Sequence, residues 1–253
     1  MGRKYIFFDI DGTLTDSNPG GKILESTYRT LDKLRENGHF VAIATGRAEW
    51  MAREFAQLSG INNLVTDGGN GLTVDGKVLY IKPLDFKAAN QVIDECMKNH
   101  YPYAVSIGNE EALYSNQHDI ENYPIHVQPI VDETLDFHKV DAIYKIFIYL
   151  TKEEEKRLDL EKLDYMRYFA DQIIIEPTEK YRGILEMVKL MGGKEEDIVV
   201  FGDGHNDYSM IKQAPIGIAM GNAIDELKEV ATFVTKRNDD DGIEYACRHF
   251  GWI

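Results

Sequence analysis

Cysteine is scarce in this 253-residue chain: there are two, Cys96 and Cys247, far apart and without CxxC or metal-ligand spacing. That argues against a disulfide framework or a structural zinc site and fits a reducing compartment, with both thiols as small core or half-exposed residues. Positive charge is short as well. Lys and Arg total 28 against 43 Asp and Glu, a formal net charge of -15. A general nucleic-acid or membrane-surface binder is thereby disfavoured, because both partners are polyanions. A small anion is not, since a metal and a few bases reverse the potential locally. No apolar run reaches the ~20 residues of a membrane span, no apolar leader precedes the first strand, and internal repeats and low-complexity segments are lacking. These absences lead to the expectation of a cytoplasmic globular protein, a monomer or at most a weak homodimer, with room for one large domain or two modest ones.

What the chain does have is four carboxylates in two short segments of the same form. Asp9 and Asp11 lie in IFFDIDGTLTD, and Asp203 and Asp207 in VVFGDGHNDYSM. Each segment is an apolar, β-rich run (Tyr5 to Phe8, Ile198 to Phe201) that ends abruptly in acid and glycine, as when a buried parallel strand delivers residues to the C-terminal edge of its sheet. If the two edges are adjacent, the acids converge. Clustered carboxylates repel unless a hard cation offsets them, and an oxygen-only donor set suits Mg²⁺.

The pattern around these segments predicts an α/β fold, a doubly wound parallel sheet with an inserted α+β module. Ile23 to Asn37 places Leu24, Tyr28, Leu31 and Leu34 on one helical face, with Gly38 after it as a C-terminal cap. HFVAIATGR reads as a second strand, AEWMAREFAQL as a second helix stopped by Ser59-Gly60, and Asn63 to Thr66 as a short strand. Asp75-Gly76 between LTV and KVLYI is a strong hairpin signal. Beyond Pro83 the character changes to one amphipathic helix (Phe86 to Lys98) and the alternating segments YAVSIG, AIYKIFIYL and DQIIIEP, an open-faced antiparallel unit. After Arg182, helices (GILEMVKLM, YSMIKQA, AIDELKEVA) again alternate with strands (DIVVFGD, IGIAM, TFVT). The expected division is a catalytic core at 1–83 and 179–253 and an inserted module at 84–178. The run Asn238 to Asp241 reads as a solvated helix start.

Phosphoryl transfer to water in two steps needs a nucleophile and a proton shuttle. Asp9 and Asp11, two apart at a strand end with Gly12 to turn the chain, can supply them. Thr45, Gly46 and Arg47 end another predicted strand, and a hydroxyl with backbone amides suits a phosphoryl oxygen. Thr13 either bonds phosphate or caps its turn. Asp203 is the expected metal ligand and Asn206 a phosphate contact. Asp207 has three readings: a metal ligand, a water-mediated one, or a helix cap. His205 reads as a plain loop histidine. A base to offset the phosphate charge is sought in EPTEKYRGIL, where Lys180 and Arg182 are the candidates.

In that order, DIDGT, ATGR, a base before Gly183 and FGDGHND resemble the haloacid dehalogenase-like hydrolases. NGL after Asn70, IIIEPTEKYRG and IGIAMGNAIDELKEVATFVTKRNDDDGI are similar to the Cof-type sugar-phosphate phosphatases, whose type IIB cap lies between the second and third motifs. The resemblance covers essentially the whole chain. It implies Asp9 as nucleophile, Asp11 as acid/base with its carbonyl on Mg²⁺, Thr45 on the phosphoryl group, and Asp203 on the metal with Asn206 and Asp207 beside it. The inserted module then acts as a cap that closes over the site and reads the leaving group. Family members usually carry lysine directly before the glycine matched to Gly183; here Arg182 holds that place, so Arg182 is the expected phosphate base and Lys180 the alternative. The implied activity is a Mg²⁺-dependent phosphatase of small phosphorylated metabolites. A phosphomutase or phosphotransferase uses the same motifs; a non-catalytic regulator gains nothing from them, and dehalogenation offers Asp11 no leaving oxygen. In the module, Tyr101, Tyr103, Tyr114, Tyr123 and Tyr168 are core residues or stacking surfaces for a substrate.

Overall fold

The structure, a computed structural model, describes residues 2–125 and 127–253. It divides into two compact units, one made of residues up to Ile81 together with Glu179–Ile253, the other of Lys82–Thr178. The chain opens with β1 (Tyr5–Phe8), α1 (Glu25–Glu36), β2 (Phe40–Ala44), α2 (Glu49–Ser59) and β3 (Leu64–Thr66), the predicted alternation. A hairpin of β4 (Gly71–Val74) and β5 (Lys77–Ile81) follows, turning at Asp75-Gly76, where φ is positive at both residues (48° and 76°) as a type I′ turn requires.

The second unit contains α3 (Phe86–Asn99), β6 (Tyr103–Ser106), β7 (Tyr114–Ser115), β8 (Ile130–Val131), β9 (Lys145–Tyr149), the short α4 (Lys152–Glu155), β10 (Tyr165–Phe169) and β11 (Gln172–Ile175). The chain then returns to the first unit through α5 (Lys180–Leu190), β12 (Ile198–Gly202), α6 (Tyr208–Gln213), β13 (Ile216–Ala219), α7 (Asp225–Val230), β14 (Phe233–Val234) and α8 (Gly242–His249).

In the first unit eight strands form one sheet in the order β14-β13-β12-β1-β2-β3-β4-β5, parallel from β14 through β3 and antiparallel at the hairpin. Tyr5, Ile6, Phe7 and Phe8 are all buried because β1 is covered on both faces. Ile6 and Phe8 pack with Leu31, Leu34, Ala52, Phe55 and Ala246 from α1, α2 and α8. Tyr5 and Phe7 pack with Ile184, Met187, Met210 and Leu227 from α5, α6 and α7. Side chains alternate across a strand, so one four-residue strand joins both helical layers.

The second unit carries a six-stranded sheet, β10-β11-β9-β6-β7-β8, antiparallel except between β7 and β8. α3 covers one face through Val92, Ile93 and Cys96 against Tyr103, Ile146 and Ile148. The expected open face is partly closed: Leu113, Ile120 and Ile125 pack on Ala104, Phe147 and Tyr149. Leu113 and Ile125 come from loops and Ile120 from a short 3-10 helix, His118–Asn122, so no sustained periodicity announces them. Tyr101 and Tyr103 are core residues, Tyr123 packs on Tyr149 at 4.5 Å between centroids, Tyr114 is half-buried, and Tyr168 is exposed. Both cysteines are buried, and burial raises their thiol pKa values.

Phe7→Ala should lower unfolding stability by about 3–5 kcal/mol, the cost of emptying a large aromatic site in a packed core. Urea unfolding followed by circular dichroism checks this; a loss below about 1 kcal/mol would contradict the central place given to β1.

Candidate active site

Parallel strands leave their loops at one edge, and the register decides which residues meet there. Phe8 pairs with Phe201 on one side and Ile43 on the other, and the Asp9 N–H donates to Phe201 O at 3.0 Å, so the ladder runs one residue past β1. Asp9 therefore leaves the sheet beside Gly202-Asp203. Gly12 makes the approach possible. Its φ is 79°, and a Cβ there would lie 2.2 Å from Asp203 Oδ2, so a side chain is excluded by contact as well as by backbone.

A lysine lies inside the carboxylate cluster. Lys180 Nζ donates to Asp9 Oδ1 and to Asp207 Oδ1, each at 2.7 Å, and Lys180 is only 1% exposed. Burial alone would push the Lys180 pKa down, but Asp207 and Asp9 outweigh it and hold the ammonium charged. For Asp9, burial and the Asp207 charge push the carboxyl above its usual range, while Lys180 pulls the other way. Asp207 Oδ2 accepts from the N–H groups of Asp203 (2.9 Å) and Gly204 (3.0 Å). Asp207 thus anchors both its own loop and the lysine.

Of the two candidate bases, the structure brings Lys180 into the cluster and leaves Arg182 out of it. Arg182 is exposed and its guanidinium donates to Asn70 Oδ1, while Lys180 occupies the cluster. The two are separated by two positions at the start of α5, about 200° around a helix of 3.6 residues per turn, so one faces the sheet edge and the other cannot.

Asp203 is perturbed in the same direction as Asp9. Burial first, then the negative charge of Asp207, raises its pKa to about 7, against the hydrogen bond that Thr13 Oγ1 donates to Asp203 Oδ1 at 2.9 Å. Thr13 thus serves Asp203. Asp11 faces elsewhere. Arg47 grips it with Nε on Oδ2 (2.7 Å) and Nη2 on Oδ1 (2.6 Å), and the Gly20 N–H adds a third bond at 2.6 Å. Burial opposes ionisation, but the Arg47 and Gly20 bonds outweigh it and hold Asp11 below the usual carboxylate range. Arg47, expected on phosphate, is an Asp11 partner in this structure.

Thr45 is buried beyond β2, its hydroxyl accepting from the Arg47 N–H at 3.1 Å across the Gly46 turn. Asn206 is half-exposed beside the exposed His205 in the turn ahead of α6. Two residues escaped the sequence reading. Asn222 Nδ2 donates to Gly12 O at 2.8 Å, and Asn238 Nδ2 to Thr15 O at 2.8 Å. Asn238 is thus buried, whereas Asp239, Asp240 and Asp241 are exposed as the solvated-helix reading expects. Both asparagines follow the ends of β13 and β14 at the catalytic edge, a position that could have marked them.

Among the described residues, Asp9, Asp203 and Asp207 each place one carboxylate oxygen within 4.8 Å of the others. The set is all oxygen, and burial beside Asp207 disfavours the ionised form of Asp203, a cost that a cation would offset, so these residues fit a hard divalent cation such as Mg²⁺.

The family model for haloacid dehalogenase-like hydrolases matches residues 6–246, and the chain belongs to that family, as a phosphatase of the Cof type. Among its relatives, YkrA of Bacillus subtilis, which carries a phosphatase name, is 31% identical over 263 residues covering 100% of both chains. YitU of the same organism, a 5-amino-6-(5-phospho-D-ribitylamino)uracil phosphatase, is 27% identical with 94% of each chain covered. The solved structure of BT4131, titled a subclass IIB sugar phosphatase, superposes with a TM-score of 0.80 at 28% identity, covering 99% of this chain and 100% of that one.

Lys180→Met should cost about 3–5 kcal/mol, because it strands two buried carboxylates against each other, and the loss should narrow as acid protonates Asp9, whose carboxyl is already held above its usual range. Arg182→Ala should cost less than about 1 kcal/mol, as for an exposed polar contact. Urea midpoints of the two variants across pH decide between the residues; equal costs would reverse the assignment.

Without divalent cations, Asp203 also sets a direction with pH. Its folded pKa of about 7 lies above the ordinary value of 3.8, so between those values the folded state keeps a proton that the unfolded chain has released. Its contribution therefore falls as pH rises through that window and levels off above about 7. Melting temperatures in a chelator should fall from pH 5 to 8 more steeply for the parent than for Asp203→Asn.

Proposed function

We propose that this protein is a cytoplasmic Mg²⁺-dependent phosphatase of small phosphorylated metabolites, sugar phosphates or compounds like them, working through a phosphorylated Asp9 as a monomer or weak homodimer. The observation that carries the reading is the Asp9–Lys180–Asp207 cluster beside Asp203 at one sheet edge. A buried carboxylate at a strand end, with an ammonium bonded to one oxygen, keeps its other oxygen for attack on phosphorus. Lys180 fits the negative charge that a phosphoryl group adds there. The Thr45 hydroxyl, the Gly46 backbone and Asn206 are the further phosphate contacts in this reading, from the loops that follow β2 and β12.

Asp9, Asp203, Asp207 and the Asp11 carbonyl would hold the Mg²⁺, which when bound offsets charge on the phosphoryl oxygens. Asp11 is the proton carrier. It gives a proton to the leaving oxygen and then takes one from the water that opens the acyl phosphate. Its grip by Arg47 and Gly20 favours the proton-accepting form needed for the second step. The Lys82–Thr178 unit is the substrate-selecting cap in this reading. The names of YitU and BT4131 make sugar phosphates and ribityl phosphates the first compounds to try.

Asp9→Asn should abolish phosphate release by roughly 10³-fold or more, the scale of losing a nucleophile, while circular dichroism stays that of the parent. Free phosphate from a panel of sugar, nucleotide and vitamin phosphates, with Mg²⁺ and with chelator, is the measurement. Full turnover by the purified variant would falsify the role of Asp9, and isomerised sugar phosphate in place of free phosphate would mark a mutase.

A further inference from the structure

Two asparagines to which the sequence reading gave no role, Asn222 and Asn238, form a chain of hydrogen bonds across this sheet edge. Asn222 follows β13 and its amide orientation is defined by backbone partners on both sides: Nδ2 donates to Gly12 O at 2.8 Å, and Oδ1 accepts from the Asn238 N–H at 3.0 Å. A carbonyl can only accept and a main-chain N–H can only donate, so the two ends of this amide are not interchangeable. Asn238, 8% exposed, continues the chain by donating from Nδ2 to Thr15 O at 2.8 Å. Gly12 O and Thr15 O belong to the turn that carries Asp11 and Thr13.

The same Nδ2 of Asn222 lies 3.5 Å from Asp203 Oδ2, while Thr13 Oγ1 holds Oδ1 of that carboxylate at 2.9 Å. Asp203 is further tied through its backbone, its carbonyl accepting from the Ile224 N–H at 3.1 Å. Gly221 allows the close approach on which this depends. A Cβ there would lie 2.7 Å from Arg237 N and 2.7 Å from Lys236 C, and the Gly221 N–H donates to Lys236 O at 2.9 Å. The outer strands of the sheet thereby brace the loops of the inner ones.

We propose that Asn222, latched by Asn238, is a positioning residue that fixes Asp203 and the Gly12 turn in the arrangement that receives the divalent cation. The proposal rests on the phosphatase reading above, because it assigns Asp203 to the metal. Asn222 acts by orienting a ligand, and partners of that kind set metal affinity.

The test is a calorimetric Mg²⁺ titration of parent, Asn222→Ala, Asn238→Ala and the exposed control Asp239→Ala, each with a melting curve. It is paired with the Mg²⁺ dependence of p-nitrophenyl phosphate hydrolysis. Asn222→Ala should bind Mg²⁺ about 10–100-fold more weakly and regain most of its kcat at saturating Mg²⁺. Asn238→Ala should shift in the same direction by less, and Asp239→Ala should match the parent. A folded Asn222→Ala with parental Mg²⁺ affinity overturns the proposal. Should that variant not fold, Asn238→Ala decides on the same criterion. A parent that binds no Mg²⁺ overturns the metal reading itself, which separates that failure from this one.

Discussion

The Lys180 ammonium lies 2.7 Å from an oxygen of Asp9 and 2.7 Å from one of Asp207, with all three side chains almost wholly removed from water. Two buried carboxylates so placed repel each other by several kcal/mol in an interior of low polarity, and the lysine makes the arrangement tolerable. Other acids of the edge are offset separately: Asp11 by Arg47 and the Gly20 amide, Asp203 by the Thr13 hydroxyl. Asp203 is the least compensated of these. A cation held by Asp9, Asp203 and Asp207 would supply the compensation that Asp203 lacks.

Much of this was legible because strand ends are loud in sequence. An apolar run that stops in Asp-x-Asp-Gly or Gly-Asp-Gly locates both its strand and its edge, and β1 and β12 fall on the runs read for them. The hairpin at Asp75-Gly76 was equally plain, since few residues accept positive φ at both turn positions. The choice between Lys180 and Arg182 was not legible. A base near a helix start is visible as composition, but which way it faces depends on where the first turn begins. Matching Gly183 to the family glycine pointed to Arg182, whereas Lys180 is the base bonded to Asp9 and Asp207.

The asparagines and the covering of the second unit's other sheet face failed to show for a different reason. Asn222 and Asn238 carry no charge and belong to no catalytic pattern, so their role exists only through backbone groups supplied by a turn 200 residues away. Asn238 also stands at the head of an acidic run whose other members are solvated, which disguised it. In the second unit, Leu113, Ile120 and Ile125 cover a sheet face from irregular segments; burial there is a property of tertiary packing and leaves no period to read.

The pairing of β1 with β12 also orders events during synthesis. A ribosome adds about 5–20 residues per second, so β1 waits on the order of ten seconds or more before its neighbour on that side exists. The intervening Lys82–Thr178 segment, with a core of its own, is complete before the strand that brings Asp203 to Asp9 is made. A nascent chain interrupted between the end of that segment and Lys180 therefore carries Asp9 without the ammonium that bonds it, and catalytic competence is acquired late, after the unit assigned to selectivity.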